Sequence, residues 1–210
     1  METWAALFER TGAVGTDGAA IRSALTERRE GDSDADGRGE SDGRAGDDAD
    51  SPVDPADPSP VRVVADADVL AADLLVGGHA REALDGLRRH SWTTLVASDA
   101  LLADAGAAIR SLADDDLAAD WRERVDAWRE PVAQPPGDHP ALASAYRGGA
   151  MHVLSGDDRL TAAGAGAGLS DRFPVSVREP RAFAALFDAA SLYPTACDGE
   201  YPGPDRDPRE

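Results

Sequence analysis

Between residues 61 and 193 short apolar runs alternate with longer stretches in which apolar residues recur every three or four positions. The first kind reads as buried strand and the second as helix with one face inward. Strands are expected at 61–66, 93–97, 150–155 and 173–177. Between them, Val69, Leu70 and Leu74 mark one helix and 80–89 another. Leu101, Leu102 and Ile109 follow Ser98, a good helix N-cap. Leu117, Trp121, Val125 and Trp128 repeat at helical spacing, and Asp138 opens a helix holding Leu142 and Tyr146. A last helix covers 180–192. Strands separated by whole helices cannot close as hairpins, so they must run parallel with helices over both faces. The expected fold is α/β, a three-layer α/β/α sandwich around a central parallel sheet.

The flanks differ sharply from this body. Residues 1–30 carry two small apolar stripes, Trp4/Leu7/Phe8 and Ile21/Leu25, the second behind an Asp17 cap. A piece this small is expected to dock on the body or on a second copy, the latter giving a homodimer. Residues 31–60 hold ten acids, two arginines and one large apolar residue, Val53. Such a segment cannot bury enough surface to offset the entropy of ordering, so a disordered acidic linker is expected. The Pro/Gly-rich residues 194–210 read as a flexible tail. The single cysteine, Cys197, excludes a disulfide framework and a thiolate metal site. With no apolar run of membrane-spanning length, a cytoplasmic protein with no membrane partner is expected.

Forty acids face 21 bases, none of them lysine, for a net charge of −19. Phosphate contacts supply most of the affinity for nucleic acid, and this balance opposes them. A cytoplasm of molar salt would change that. There the screening length falls to about 3 Å and surface carboxylates no longer repel at long range. An acidic, lysine-free, Ala/Gly/Asp-rich chain suits such a halophilic host.

In parallel sheets chemistry collects beyond the carboxyl ends of the strands. Asp66 and Asp68 follow the first strand, and Asp157 and Asp158 follow the strand at 150–155. Asp104 lies in the helix after the second strand, and Asp138 heads the helix leading to the 150–155 strand. Converging carboxylates raise one another's pKa unless a cation neutralises them. Hard oxygen ligands suit Mg²⁺ or Mn²⁺, which can orient a phosphodiester and generate hydroxide without a protein nucleophile. The competing reading of each acid is structural: Asp138 before His139-Pro140 suits a cap, and Asp104 suits solvated surface. Asp66 and Asp157 directly follow buried strands and need a partner.

The order of these residues resembles the PIN-domain nucleases. Val63-Val-Ala-Asp66-Ala-Asp68-Val-Leu70 is similar to their first motif, with Asp68 where asparagine is usual. Ser98-Asp-Ala-Leu-Leu-Ala-Asp104 is similar to the second, whose acid is ordinarily glutamate. Asp138-His-Pro-Ala-Leu-Ala-Ser-Ala145 resembles the third, and Val153-Leu-Ser155-Gly-Asp157-Asp-Arg-Leu160 the fourth, with Arg159 where a further aspartate is common. The resemblance implies a PIN-like fold and metal-dependent cleavage of single-stranded RNA. It also implies Asp66, Asp104, Asp138 and Asp157 as ligands of Mg²⁺ or Mn²⁺, Ser155 holding the site or substrate, and an antitoxin-like partner.

Two other readings compete. A non-catalytic PIN-like scaffold would bind RNA or protein without cleaving. A haloacid-dehalogenase-type phosphatase could use Asp66 and Asp68 as nucleophile and acid, but that chemistry normally needs a lysine, as does a two-component receiver. The Trp121/Trp128 stripe reads as helix packing. The run from Gly164 to Gly168 does not sit between strand and helix as a phosphate loop must. Of the four histidines, only His139 lies near the proposed edge, which Arg147 and Arg159 flank.

Overall fold

The computed structural model describes residues 2–36, 55–135, 138–162 and 174–210. Five parallel strands form one sheet: β1 (Ser59–Ala65), β2 (Thr94–Ser98), β3 (Glu130–Val132), β4 (Ala150–Leu154) and β5 (Ser176–Arg178), in the order β3-β2-β1-β4-β5. Helices flank it as the expected three-layer sandwich: α1 (Trp4–Arg10), α2 (Gly18–Asp36), α3 (Ala67–Leu75), α4 (Gly78–Arg88), α5 (Asp99–Leu112), α6 (Asp115–Asp126), α7 (Pro140–Gly148), α8 (Asp158–Thr161), α9 (Pro180–Leu186) and α10 (Ala189–Leu192).

The central strand β1 feeds the core along its carboxyl half. Val61, Val63, Val64 and Ala65 are all buried, as a strand covered on both faces requires. The chain builds outward from β1 to β2 and β3, then returns to lay β4 on the other side of β1. That reversal creates a crevice beyond the carboxyl ends of β1 and β4. The register decides what faces it. Val64 pairs with Val153 and Ala65 with Leu154, so the next residues, Asp66 and Ser155, emerge side by side.

Local chemistry sets the ends of elements. Asp17 accepts hydrogen bonds from the amides of Ala19 and Ala20, both at 2.9 Å, and so caps α2. Ser98 caps α5 through the Leu101 amide at 3.2 Å. Helix α7 ends on Gly149 at φ +64, a left-handed turn that also lets the backbone carbonyl of Asp57 approach closer than a side chain would permit.

Several expectations need correction. β3 was not foreseen: three residues with Pro131 at the sheet edge carry no apolar run to betray them. Both ends of the segment 31–60, expected to be disordered, are structured: α2 runs on to Asp36, and the amides of Ala56 and Ser59 bond the carbonyls of Arg147 and Gly149. Residues 37–54, the rest of that linker, lie outside the described residues, as do the glycine run from Gly164 to Gly168 and the start of the expected strand at Phe173. Asp138 does not cap α7; His139 does, its Nδ1 accepting from the Ala141 amide at 3.3 Å.

The tail is docked rather than loose. Asp205 and Arg206 amides bond the Arg89 carbonyl, Arg209 pairs with Asp85 at 2.7 Å, and the Ala5 amide bonds the Arg209 carbonyl. The N-terminal piece docks on its own body, with Trp4, Leu7, Ile21 and Leu25 all inside the single core. Among the described residues no helix is long and apolar enough to cross a membrane.

One buried charge joins these parts. Arg88, 4% exposed, pairs with Asp73 of α3 and with Asp85 one turn back, at 3.1 Å. Its guanidinium lies 3.9 Å over the ring of Trp4 and 4.8 Å over that of Trp128. Removing one partner of such a buried pair strands a charge without water and costs ~3–5 kcal/mol. Asp73→Asn is therefore expected to lower unfolding free energy by about that amount in a urea titration, well beyond the change from Asp115→Asn at an exposed pair.

Candidate active site

Asp66 sits where β1 ends and α3 begins, and is 2% exposed. One carboxylate oxygen accepts from the Ala67 amide at 2.8 Å, and the other from the hydroxyl of Ser155 at 2.9 Å. Ser155 is fully buried, and its oxygen also accepts from the Asp157 amide at 3.1 Å. The strand register thus locks one acid and one hydroxyl across the crevice.

Two residues on, Asp68 enters the first turn of α3 and points at the same crevice. Its Oδ2 accepts from the Gly156 amide at 2.9 Å. A side chain on residue 156 would place its Cβ 2.8 Å from that oxygen, so glycine is needed for the carboxylate to approach the backbone. The other oxygen, Oδ1, is buried with no hydrogen-bond partner. Burial pushes the Asp68 carboxyl up to about 7, and the neighbouring Asp66 charge adds to the rise. The Gly156 and Val69 amides and the Arg22 guanidinium oppose it.

These groups open onto a cleft of about 610 Å³ whose walls include Asp66, Asp68 and Asp157 together with Arg22, Arg29 and Arg159. Asp157 caps the short α8, accepting from the Arg159 amide at 2.8 Å, and lies 4.0 Å from Arg29. The remaining expected acids stand elsewhere. Asp104 pairs with Arg28 of α2 at 2.9 Å and does not line the cleft. Asp138 is exposed and also outside the lining, its carbonyl bonded by the Gln134 amide group at 3.0 Å. His139 and Arg147 do not line the cleft either, whereas Arg159 does.

Among the described residues no three carboxylates or imidazoles cluster closely enough to enclose a metal ion. The donors fit a looser arrangement. Mg²⁺ keeps several waters and takes only one or two carboxylates, and the Asp66/Asp68 pair with an unmatched buried oxygen supplies those. Of the expected site set, Asp66, Asp157 and Ser155 come together here; Asp68, a candidate acid that the four-acid set leaves out, joins them. Sequence reasoning missed Arg22 and Arg29, because nothing in residues 1–30 says which face of a docked helix will meet the crevice.

The raised Asp68 carboxyl makes stability depend on pH. Between about 4 and 7 the folded chain holds a proton that the unfolded chain has lost, so stability falls as pH rises through that window. In chelator-treated protein, Asp68→Asn should remove this slope. Relative to wild type it is expected to gain up to about 4 kcal/mol between pH 4 and pH 8 in urea titrations. Parallel curves for the two proteins would contradict the burial of this charge. Ser155→Ala should cost ~1–3 kcal/mol in the same assay, since it leaves a buried oxygen of Asp66 without a donor.

Residues 57–209 match the model of a family of unknown function, DUF7384. No curated protein and no solved structure matches the chain. The match takes in the whole sheet, the cleft aspartates and the docked tail, while α1 and α2, with the cleft's Glu30, precede it. Over nearly three-quarters of its length, then, the chain belongs to the DUF7384 family.

Proposed function

We propose that the protein is a metal-dependent ribonuclease of the PIN type that cleaves phosphodiesters of single-stranded RNA, with Asp66 and Asp68 as the residues that hold Mg²⁺ or Mn²⁺. The observation that carries this reading is the Asp68 carboxylate, buried beside Asp66 at the sheet's switch point with one oxygen lacking any donor. A buried anion left unmatched next to another anion is costly, and a divalent cation relieves both.

When bound, such an ion polarises a phosphoryl oxygen and lowers the pKa of a water. The chain's own groups do the positioning. Ser155 holds Asp66 by donating to it, and the Ala67 amide fixes the second oxygen of the same carboxylate. The Gly156 amide orients Asp68 by bonding its Oδ2, while Oδ1 stays buried without a donor. Asp157 stands in the wall of the cleft, where a carboxylate can accept a proton from an attacking water. The fit is to two carboxylates and a largely hydrated ion, narrower than the four-acid set the PIN resemblance implies.

A non-catalytic scaffold that binds RNA or protein is the second reading. The ion pair between Arg28 and Asp104 favours it, since it occupies one of those four acids. Purified protein in molar KCl with Mn²⁺ is expected to cut labelled single-stranded RNA, and Asp66→Asn to cut it ~100-fold more slowly or worse. Equal rates for the two proteins, or no cleavage by either at saturating Mn²⁺, would leave the scaffold.

A further inference from the structure

Carboxylates alone repel a nucleic acid backbone, so a phosphodiester site in this cleft needs cations on its other walls. The structure has them. Arg22, Thr26 and Arg29 recur at helical spacing along α2 and all line the cleft, joined there by Arg159 from the start of α8. The helix is anchored beneath this stripe by Ile21, fully buried, and Leu25, 5% exposed. The arginines are therefore carried on a fixed wall.

Acids outnumber arginines 40 to 21, and many of the arginines near the surface are paired. Arg22 and Arg159 are exceptions: among the described residues neither guanidinium makes an ion pair, and both are exposed at the cleft. Arg22 and Asp68 line the same cleft, and a Cβ on residue 156 would lie 2.8 Å from the Asp68 Oδ2 and 3.7 Å from an Arg22 guanidinium nitrogen. A guanidinium offers forked donors that match the oxygens of a phosphate.

We infer that Arg22 and Arg159, with Arg29 beside them, form the phosphate-binding wall of the cleft, so that helix α2 is part of the single-stranded nucleic acid site. This rests on the reading of the cleft as a phosphodiester site. It gives the N-terminal segment, which precedes the stretch matching the family, a direct part in holding substrate rather than a purely structural one.

The test is binding without catalysis: anisotropy of a fluorescein-labelled oligouridine titrated with full-length protein in EDTA over a series of KCl concentrations. The double variant Arg22→Gln/Arg159→Gln is expected to bind about tenfold or more weakly. Its plot of log affinity against log salt should be shallower by about 1.4, two single-strand phosphate contacts. Asp66→Asn should shift the other way and bind more tightly, which misfolding would not produce. Arg181→Gln, on α9 away from the cleft, should match wild type.

The inference is overturned if the double variant matches wild type in affinity and slope. It is equally overturned if wild type does not bind, or if polyglutamate competes as well as unlabelled oligouridine. RNA held through these arginines but never cut in Mn²⁺ would sink the nuclease reading and leave the wall standing. Cleavage by the double variant with an unchanged KM would do the reverse.

Discussion

A guanidinium out of reach of water must find its counter-charges inside the protein, and Arg88 finds them in Asp73 and Asp85. Much of the molecule is arranged around that requirement. Asp73 comes from α3, the helix that begins at Asp66, so the pair fixes α3 against α4. Trp4 and Trp128 cover the guanidinium with their ring faces, which draws α1 and the end of α6 onto the same point. Arg209 closes Asp85 from the tail. Because α1 is seated here, α2 follows at a fixed place, and its arginines meet the cleft.

At the other end of α3 the logic is reversed. Where Arg88 has two carboxylates to balance its charge, Asp68 has one oxygen unmatched and a like charge beside it. The same helix thus carries a charge-balanced ion pair at one end and a carboxylate with an unmatched oxygen at the other. Unsatisfied buried charge persists in a fold when the surroundings hold it in place, and here Ser155, Gly156 and the packing of α3 do so. The contrast is physical rather than positional, and it separates Asp68 from the many acids that are solvated surface.

Much of this was legible before any coordinates. Strand and helix alternation carried the fold class, because burial on both faces leaves continuous apolar runs such as that of β1. Asp66, Asp157 and Ser155 were legible because polar residues directly after buried strands end where parallel sheets put their chemistry. β3 was not legible, since an edge strand of Glu-Pro-Val has neither alternation nor a run. The tail misled because Pro and Gly report backbone freedom, whereas its order comes from distant partners, Arg89, Asp85 and Ala5. Asp104 and Asp138 looked equivalent to Asp66 in the chain, but one is taken up by Arg28 and the other faces solvent.

The sequence by itself determined the layers and the identity of the acids at strand ends, because those follow from local periodicity and from what a buried strand tolerates. Tertiary structure alone decided which acids share a cleft and which arginines oppose them. Strand order and register set Asp66 beside Ser155 and brought Gly156 to Asp68. The seating of Trp4, Leu7, Ile21 and Leu25 in the core turned Arg22 and Arg29 toward them. Side chains more than forty residues apart meet through packing, and no local pattern in a chain encodes the direction in which a docked helix faces.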